Sequence, residues 1–334
     1  MLFYLDISVV DEVSGNNEYV DALKNMFSSY RQGRHALFFN SSTAIKLLEV
    51  FDWDLRDKAI IKHIANTNSL KLRKIYSDVK NYIRIVDSRL VGVKGETDEK
   101  AILASLSDFL DADSVARPVL LAENLIDAKF YKKVGEYSCF VHSSPGIISL
   151  DVRGGGGSTI GPEFERVVNE SSAPCICLVD SDVNFPKGRI GDTASTAMKV
   201  DLSKRISCKL HVIEARTVES IMSADIVERY CGGDATKRPA IEFLRKIDSH
   251  NDAGEIRRYI NVKNGITWKY YSSLTPGSDE KSFIDKALSI HLGVETDRSD
   301  KADFVPGLGK LAELYLENPI PSSEIEDLLC SFTQ

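Results

Sequence analysis

VLLAENLIDAKFYKKV (Val119–Val134) and CICLVDSDVNFPKG (Cys175–Gly188) decide how this chain is read. Each starts as an unbroken apolar run of strand length and ends abruptly in carboxylates. Apolar runs of this kind, separated by helical pattern, belong to a parallel sheet covered on both faces. Side chains alternate along a strand, so Asp180 and Asp182 are expected on one side and Ser181 on the other. Glu123 closes the first run. Asp127 follows four residues later, where a helix starting there returns it to the strand end. Ligands of open parallel sheets bind outside the carboxyl ends of the strands. Glu123, Asp180 and Asp182 therefore predict an oxygen-rich, strongly negative pocket. A hard divalent cation such as magnesium takes that donor set, and without one the pocket is costly to fold.

The same alternation surrounds these two runs. Strands are predicted at Pro118–Ala122, Ile147–Val152, Cys175–Val179 and Cys208–Ile213, with helices at Asp127–Gly135 and Glu163–Asn169. The glycine run Gly154–Gly157 reads as a strand-to-helix turn, and Gly155 and Gly156 are candidate amide donors to a substrate phosphate. No Gly-Lys-Ser/Thr follows, so it is not the phosphate loop of nucleotide hydrolases. Lys187, Arg189 and Arg216, with Lys204 and Arg205, are candidate partners for a scissile phosphate, and each singly also reads as a surface charge. Asp192 reads as a structural loop acid, and Glu214 as a substitute for Glu219.

Glu-x-x-x-Asp after a first strand, a glycine-rich turn after a second (GIISLDVRGGGGSTI, Gly146–Ile160) and Asp-x-Asp after a third resemble the Toprim domain. That domain is the metal-binding core of topoisomerases, primases, small RNases and the OLD (overcoming lysogenization defect) nucleases. The chain looks most like the OLD-type branch and its standalone relatives from bacterial anti-phage systems. HVIEARTVESIM (His211–Met222) is similar to a further motif of that branch, which carries a glutamate, here Glu219. Asn124 stands where the family usually has glycine, and Thr217 and Ser220 replace more usual acidic and amide residues.

The resemblance runs from about Ala116 to Met222. It implies an α/β, Toprim-like, largely parallel sheet flanked by helices. It also implies a nuclease acting on DNA or RNA phosphodiesters in antiviral defence. Glu123, Asp127, Asp180 and Asp182 would be catalytic. With Glu219 they would ligate two Mg2+ or Mn2+ ions about 4 Å apart. OLD-type enzymes carry an ATPase domain, and with no phosphate loop here a separate ATPase is the expected regulatory partner.

Two other classes stay open. A strand-passage or primase-like enzyme shares the same acids but needs a nucleophilic tyrosine or a polymerase partner, and Tyr270 and Tyr271 lack a recognisable context for the former. A non-catalytic protein with a degenerate site would bind nucleic acid or a partner. Asp6, with Glu49 and Asp52, is faintly similar to the opening of PIN-type ribonucleases.

At 334 residues the chain has room for two or three domains. The boundaries expected are 1–113 for an N-terminal α/β unit, 114–222 for the Toprim-like catalytic unit and 223–334 for a mainly helical region. In the first, FYLDISVV, ALFFN and NYIRIVDSRLVGV read as extended. NEYVDALKNMFSSYRQG and STAIKLLEVFDW read as helices, and EKAILASLSDFLDADSV as a helix leading onward. In the last, ADIVERYC, RPAIEFLRKI, SFIDKALSIHL, GKLAELYLEN and SEIEDLLCSF have helical spacing, NGITWKYYSS reads as a short extended insertion, and the region as a whole is expected to cover the core or to oligomerise.

Net charge is −7, yet Lys58, Lys62, Lys71, Arg73, Lys74, Lys80, Arg84 and Arg89 face only Asp78 and Asp87 within one stretch. That stretch is either a backbone-binding face or a solvated helix surface. Cys139, Cys175, Cys177, Cys208, Cys231 and Cys330 show no paired zinc spacing and read as reduced thiols of a cytoplasmic protein. No window is apolar enough for a membrane span, and MLFYLDISVVDEV meets acid too early for a secretory signal.

Overall fold

The four apolar residues Leu2–Leu5 form β1, an inner strand of a parallel sheet, in a computed structural model of the chain. The structure describes residues 1–78, 82–91, 101–141, 148–203, 205, 207–292, 305–309 and 311. Lys80, Lys204 and the predicted helices at 309–318 (for most of its length) and 323–332 lie outside the described residues, as do Cys330 and the side chains of Cys139, Lys71, Arg73 and Lys74.

After β1 come α1 (Ser8–Val13), α2 (Asn17–Arg31), β2 (Ala36–Phe38), α3 (Ser41–Val50), α4 (Leu55–Asp78), β3 (Tyr82–Ile85) and β4 (Ala101–Ala104). The strands lie in the order β2-β1-β3-β4, all parallel. Two expectations are corrected here. FYLDISVV is a strand only as far as Leu5. Asp6 Oδ1 then accepts the Ser8 amide at 2.9 Å, a local turn that starts α1. EKAILASLSDFLDADSV is not a helix. Its Ala101–Ala104 segment completes the open edge of β3, in register Tyr82↔Ala101, and two 3-10 turns follow at Leu106–Phe109 and Ala112–Val115. The Ser105 amide donates to Asp108 Oδ2 at 2.9 Å and holds the first of these turns.

The second unit contains β5 (Val119–Ala122), α5 (Leu125–Val141), β6 (Asp151–Gly154), α6 (Ile160–Glu170), β7 (Cys175–Val179), α7 (Asp192–Ala197) and β8 (Cys208–Val212). It repeats the first topology as β6-β5-β7-β8, again wholly parallel. Alternation sends Val119 and Leu121 to one face, where Cys175, Cys177 and Val179 join Ile160, Phe164 and Val167 of α6. Leu120 and Ala122 face Ala128 of α5 on the other side. Both Cys175 and Cys177 sulfurs lie in core, as their spacing predicts. The second strand falls later than the predicted Ile147–Val152, because pairing with β5 sets its register at Val119↔Asp151.

Helices α8 (Ala224–Cys231), α9 (Arg238–Asp248), α10 (Ala253–Tyr259), α11 (Trp268–Ser273) and α12 (Asp279–Leu292) follow, with a short antiparallel ribbon of β9 (Gly265–Ile266) and β10 (Val305–Pro306). In NGITWKYYSS only Gly265–Ile266 is extended. Thr267 Oγ1 accepts the Tyr270 amide at 3.2 Å and turns the rest into α11. The core of these helices is continuous with Phe130 and Val134 of α5 and with Ile213, Ala215 and Val218 beyond β8. The C-terminal helices thus share a core with the elements that carry the acids. Among the described residues no helix is long and apolar enough to cross a membrane.

Candidate active site

The connection from β5 runs to one side of the second sheet and that from β7 to the other, so a crevice opens between these two strands at their carboxyl ends. Glu123 directly follows β5 and Asp180 directly follows β7. The Asp180 amide donates to Glu123 Oε1 at 3.3 Å across the crevice.

Asn124 explains the entry to α5. Its Oδ1 accepts the amides of Ile126 and Asp127, each at 2.9 Å, and its Nδ2 donates to Asp127 Oδ2. This side-chain cap starts the helix directly after the strand. Asp127 and Tyr131, four apart, share the face turned to the crevice. The Tyr131 hydroxyl lies 3.5 Å from Asp180 Oδ1.

Asp182 departs from simple strand alternation. β7 ends at Val179, and Asp182 has φ +52°, in the left-handed region that L side chains seldom adopt. Its amide donates to the Arg216 carbonyl at 3.0 Å, and Ser181 Oγ donates to the Ala215 carbonyl at 2.7 Å. The loop beyond β8 therefore clamps this turn. Gly191 is required beside it, since a Cβ there would lie 2.5 Å from Asp182 Cβ. Glu219 sits on a 3-10 turn, Val218–Ile221, and is 3% exposed.

The acids act on one another. Burial, then the Asp182 charge and more weakly Asp127, push the Glu123 carboxyl up to about 7, against the Asp180 amide and Lys263, which favour its ionised form. Asp180 is raised well above the ordinary carboxylate range by burial first and then by Glu123, Asp127, Glu219 and Asp182. The Tyr131 phenol is raised as well, by burial and then by Asp180, Asp127, Glu219 and Glu123. Asp180 thus feels the charges of all four other predicted ligand acids, and Glu123 those of Asp182 and Asp127.

Lys263 and Tyr131 are functional candidates that sequence reading passed over. Lys263 follows α10 by several residues and had no local signal, whereas Tyr131 was legible as the next turn after Asp127. The Lys263 carbonyl accepts the Gly309 amide at 3.0 Å, which ties its loop to the segment just after β10.

The predicted phosphate contacts divide. The Gly155 amide donates to the Ala122 carbonyl at 2.7 Å, and that of Gly157 to the Glu123 carbonyl at 2.8 Å. Gly156 between them has φ +75°. The run is a turn clasped to the Glu123 backbone, and Gly155 spends its amide inside the fold. Lys187 is exposed, with φ +66°. Arg189 pairs at 3.3 Å with Asp192, which begins α7 where a loop was expected. Arg205 donates to the Ala173 carbonyl at 3.3 Å. Arg216 brings its backbone to Asp182 and its guanidinium to the Tyr270 hydroxyl. Glu214 is exposed and faces Arg258 at 4.0 Å, so it does not substitute for Glu219. Tyr270 and Tyr271 donate their hydroxyls to Glu280 at 2.6 Å and Asp285 at 2.8 Å.

The first sheet provides an internal comparison. Leu5 pairs with Ile85 as Ala122 pairs with Leu178. Counting onward, Asp6 occupies the position of Glu123, and Asp87 that of Asp180. In the first sheet each acid has an arginine: Arg84 lies 2.5 Å from Asp6, and Arg89 lies 2.6 Å from Asp87. Glu49 is exposed and Asp52 pairs with Lys58 at 2.7 Å, so these three acids do not assemble as in a PIN-type site. Among the described residues, no arginine or lysine forms an ion pair with Glu123, Asp180 or Asp182.

Glu123 and Asp180, both raised by the acids around them in a partly buried crevice, suit a hard divalent cation in donor type and in charge. As they stand, no three His, Cys, Asp or Glu side chains among the described residues are gathered into a ready-made metal site. Binding an ion would have to draw these side chains inward. Comparisons with family models, curated proteins and solved structures return no match.

Proposed function

We propose that this protein is a metal-dependent nuclease of the OLD-like Toprim kind, acting in the bacterial cytoplasm as an effector of anti-phage defence. The observation that carries the reading is the contrast between the two sheets. The same register positions are neutralised by arginine in the first sheet and left to repel one another in the second. Repulsion that no arginine offsets, at a crevice of this kind, is strain that a bound cation would remove.

Glu123, Asp180 and Asp182 would hold Mg2+ or Mn2+, with Asp127 and Glu219 completing the set. When bound, such ions supply an activated water and stabilisation of the leaving oxygen. The chain's own residues do the rest. The Asn124 cap and the clasp on the glycine turn aim Glu123 and Asp127, and the Arg216 carbonyl and Gly191 fix Asp182. Lys263 brings positive charge beside Glu123, where a phosphodiester oxygen could take it up. Substrate phosphates cannot approach the acids until their charge is balanced.

The test is incubation of purified protein with plasmid, single-stranded DNA, total RNA and tRNA, with and without Mn2+. Metal-dependent cleavage of any of these supports the reading, and inertness toward all four sinks it. One observation favours a second reading, a nucleic-acid or partner-binding protein with a degenerate site: the acids are not pre-gathered for an ion. Binding of the same nucleic acids without cleavage at any metal concentration would select it. Control by a separate ATPase belongs to the proposal through resemblance alone, and co-purification tests it.

A further inference from the structure

Resting on the metal-site reading, we infer that Tyr131 is a positioning residue, whose hydroxyl holds one oxygen of Asp180 and leaves the other turned to the cation. The geometry is that of a braced carboxylate. Asp180 is approached by Tyr131 at Oδ1, 3.5 Å away, while its own amide grips Glu123 Oε1. Tyr131 stands on α5 one turn after Asp127, so the helix that presents one acid also carries the brace for another.

Tyr131 packs against the apolar cluster of Leu120, Ala122 and Ala128 and against the core shared with the C-terminal helices. Its ring stands edge-on to Phe130, with centroids 5.8 Å apart. A ring wedged between two cores has little freedom to swing its hydroxyl away. A phenol is also suited to this position chemically. It donates a hydrogen bond without adding charge, so it steadies a carboxylate and leaves the negative field for the cation. An arginine in the same place would cancel that field, as Arg84 does for Asp6 in the first sheet. Groups that hydrogen-bond a metal-ligating side chain from behind commonly contribute 10–100-fold in metal affinity.

The experiment uses the full chain carrying Tyr131→Phe, titrated with Mn2+ while the EPR signal of the free ion is followed. The expected result is uptake by the parent, roughly 10-fold weaker uptake by the variant, unchanged melting of the metal-free proteins, and cleavage restored to the variant at saturating Mn2+. Equal affinity of parent and variant overturns the role of Tyr131 and leaves the metal site standing. A rate loss that saturating Mn2+ does not restore also overturns it. No uptake by the parent overturns the metal reading itself. Should the variant melt early, 3-fluorotyrosine at position 131 keeps the hydroxyl in place. Its 19F resonance should then move on addition of Mg2+, and an unmoved line refutes the contact.

Discussion

Asp180 stands to Glu123 as Asp87 stands to Asp6: each pair flanks the crevice between the inner strands of a parallel sheet at the same register. The pairs differ in what surrounds them. Arg84 and Arg89 make the first pair part of the scaffold, whereas the second pair is left with its own repulsion. On the proposed function this difference separates a structural use of acids from a catalytic one.

Asp180→Asn and Glu123→Gln should each lower Mn2+-dependent cleavage by at least about 100-fold, since each removes a charged ligand. Circular dichroism should show the fold retained. Variants that cut as fast as the parent would disprove the site.

Glu123 gives the metal-free protein a pH dependence of stability. Its folded carboxyl titrates near 7 against an ordinary value of 4.5. The folded state therefore keeps a proton that the unfolded state has released, and stability falls as pH rises through that window. The raised Asp180 acts in the same direction. Without metal, Glu123→Gln should be more stable than the parent at pH 8 by on the order of 1–2 kcal/mol, and no more stable near pH 4. Mn2+ should raise the parent's melting temperature at pH 8 and leave that of the variant nearly fixed. Denaturant titrations at the two pH values decide the matter.

Gly191→Ala should destabilise by about 1–3 kcal/mol and displace Asp182, because the new methyl group would overlap its Cβ. Weakened Mn2+ uptake should accompany the loss. A variant with parental affinity would mean that the left-handed turn at Asp182 is not part of the site.

Lys263→Ala should reduce kcat/KM by roughly 10–100-fold through loss of positive charge beside Glu123. Lys263→Arg should recover part of it. Steady-state kinetics on whichever nucleic acid is cut provides the readout.

Arg84→Ala serves as the control in the first sheet. It strips a partly buried Asp6 of its partner and should cost about 1–3 kcal/mol of stability. Cleavage per folded molecule should stay at the parental level. A selective loss of activity would assign the first crevice a part in the reaction.

Local chemistry made much of this legible. The unbroken apolar runs at Val119–Ala122 and Cys175–Val179 announced strands of a parallel sheet, and the acids after them marked its carboxyl edge. β5 is buried on both faces, whereas Ile176 leaves one face of β7 open. The same approach failed where a local pattern met a stronger tertiary demand. AILA before Ser105 had helical spacing, yet the vacant edge of β3 claimed it as β4. Asp182 looked like a second alternating strand residue, but the Arg216 carbonyl draws its amide and forces the left-handed turn.

By itself, the order of residues determined which segments are apolar strands of a parallel sheet and which carboxylates end them. Those properties depend on side chains a few positions apart. Tertiary structure alone decided that Asp6 meets Arg84 from the neighbouring strand, while no arginine reaches Glu123 or Asp180 among the described residues. It also brought Lys263 to Glu123 from well over a hundred residues away. Electrostatic energy depends on distance through space, and a linear sequence does not carry that distance until the chain has folded.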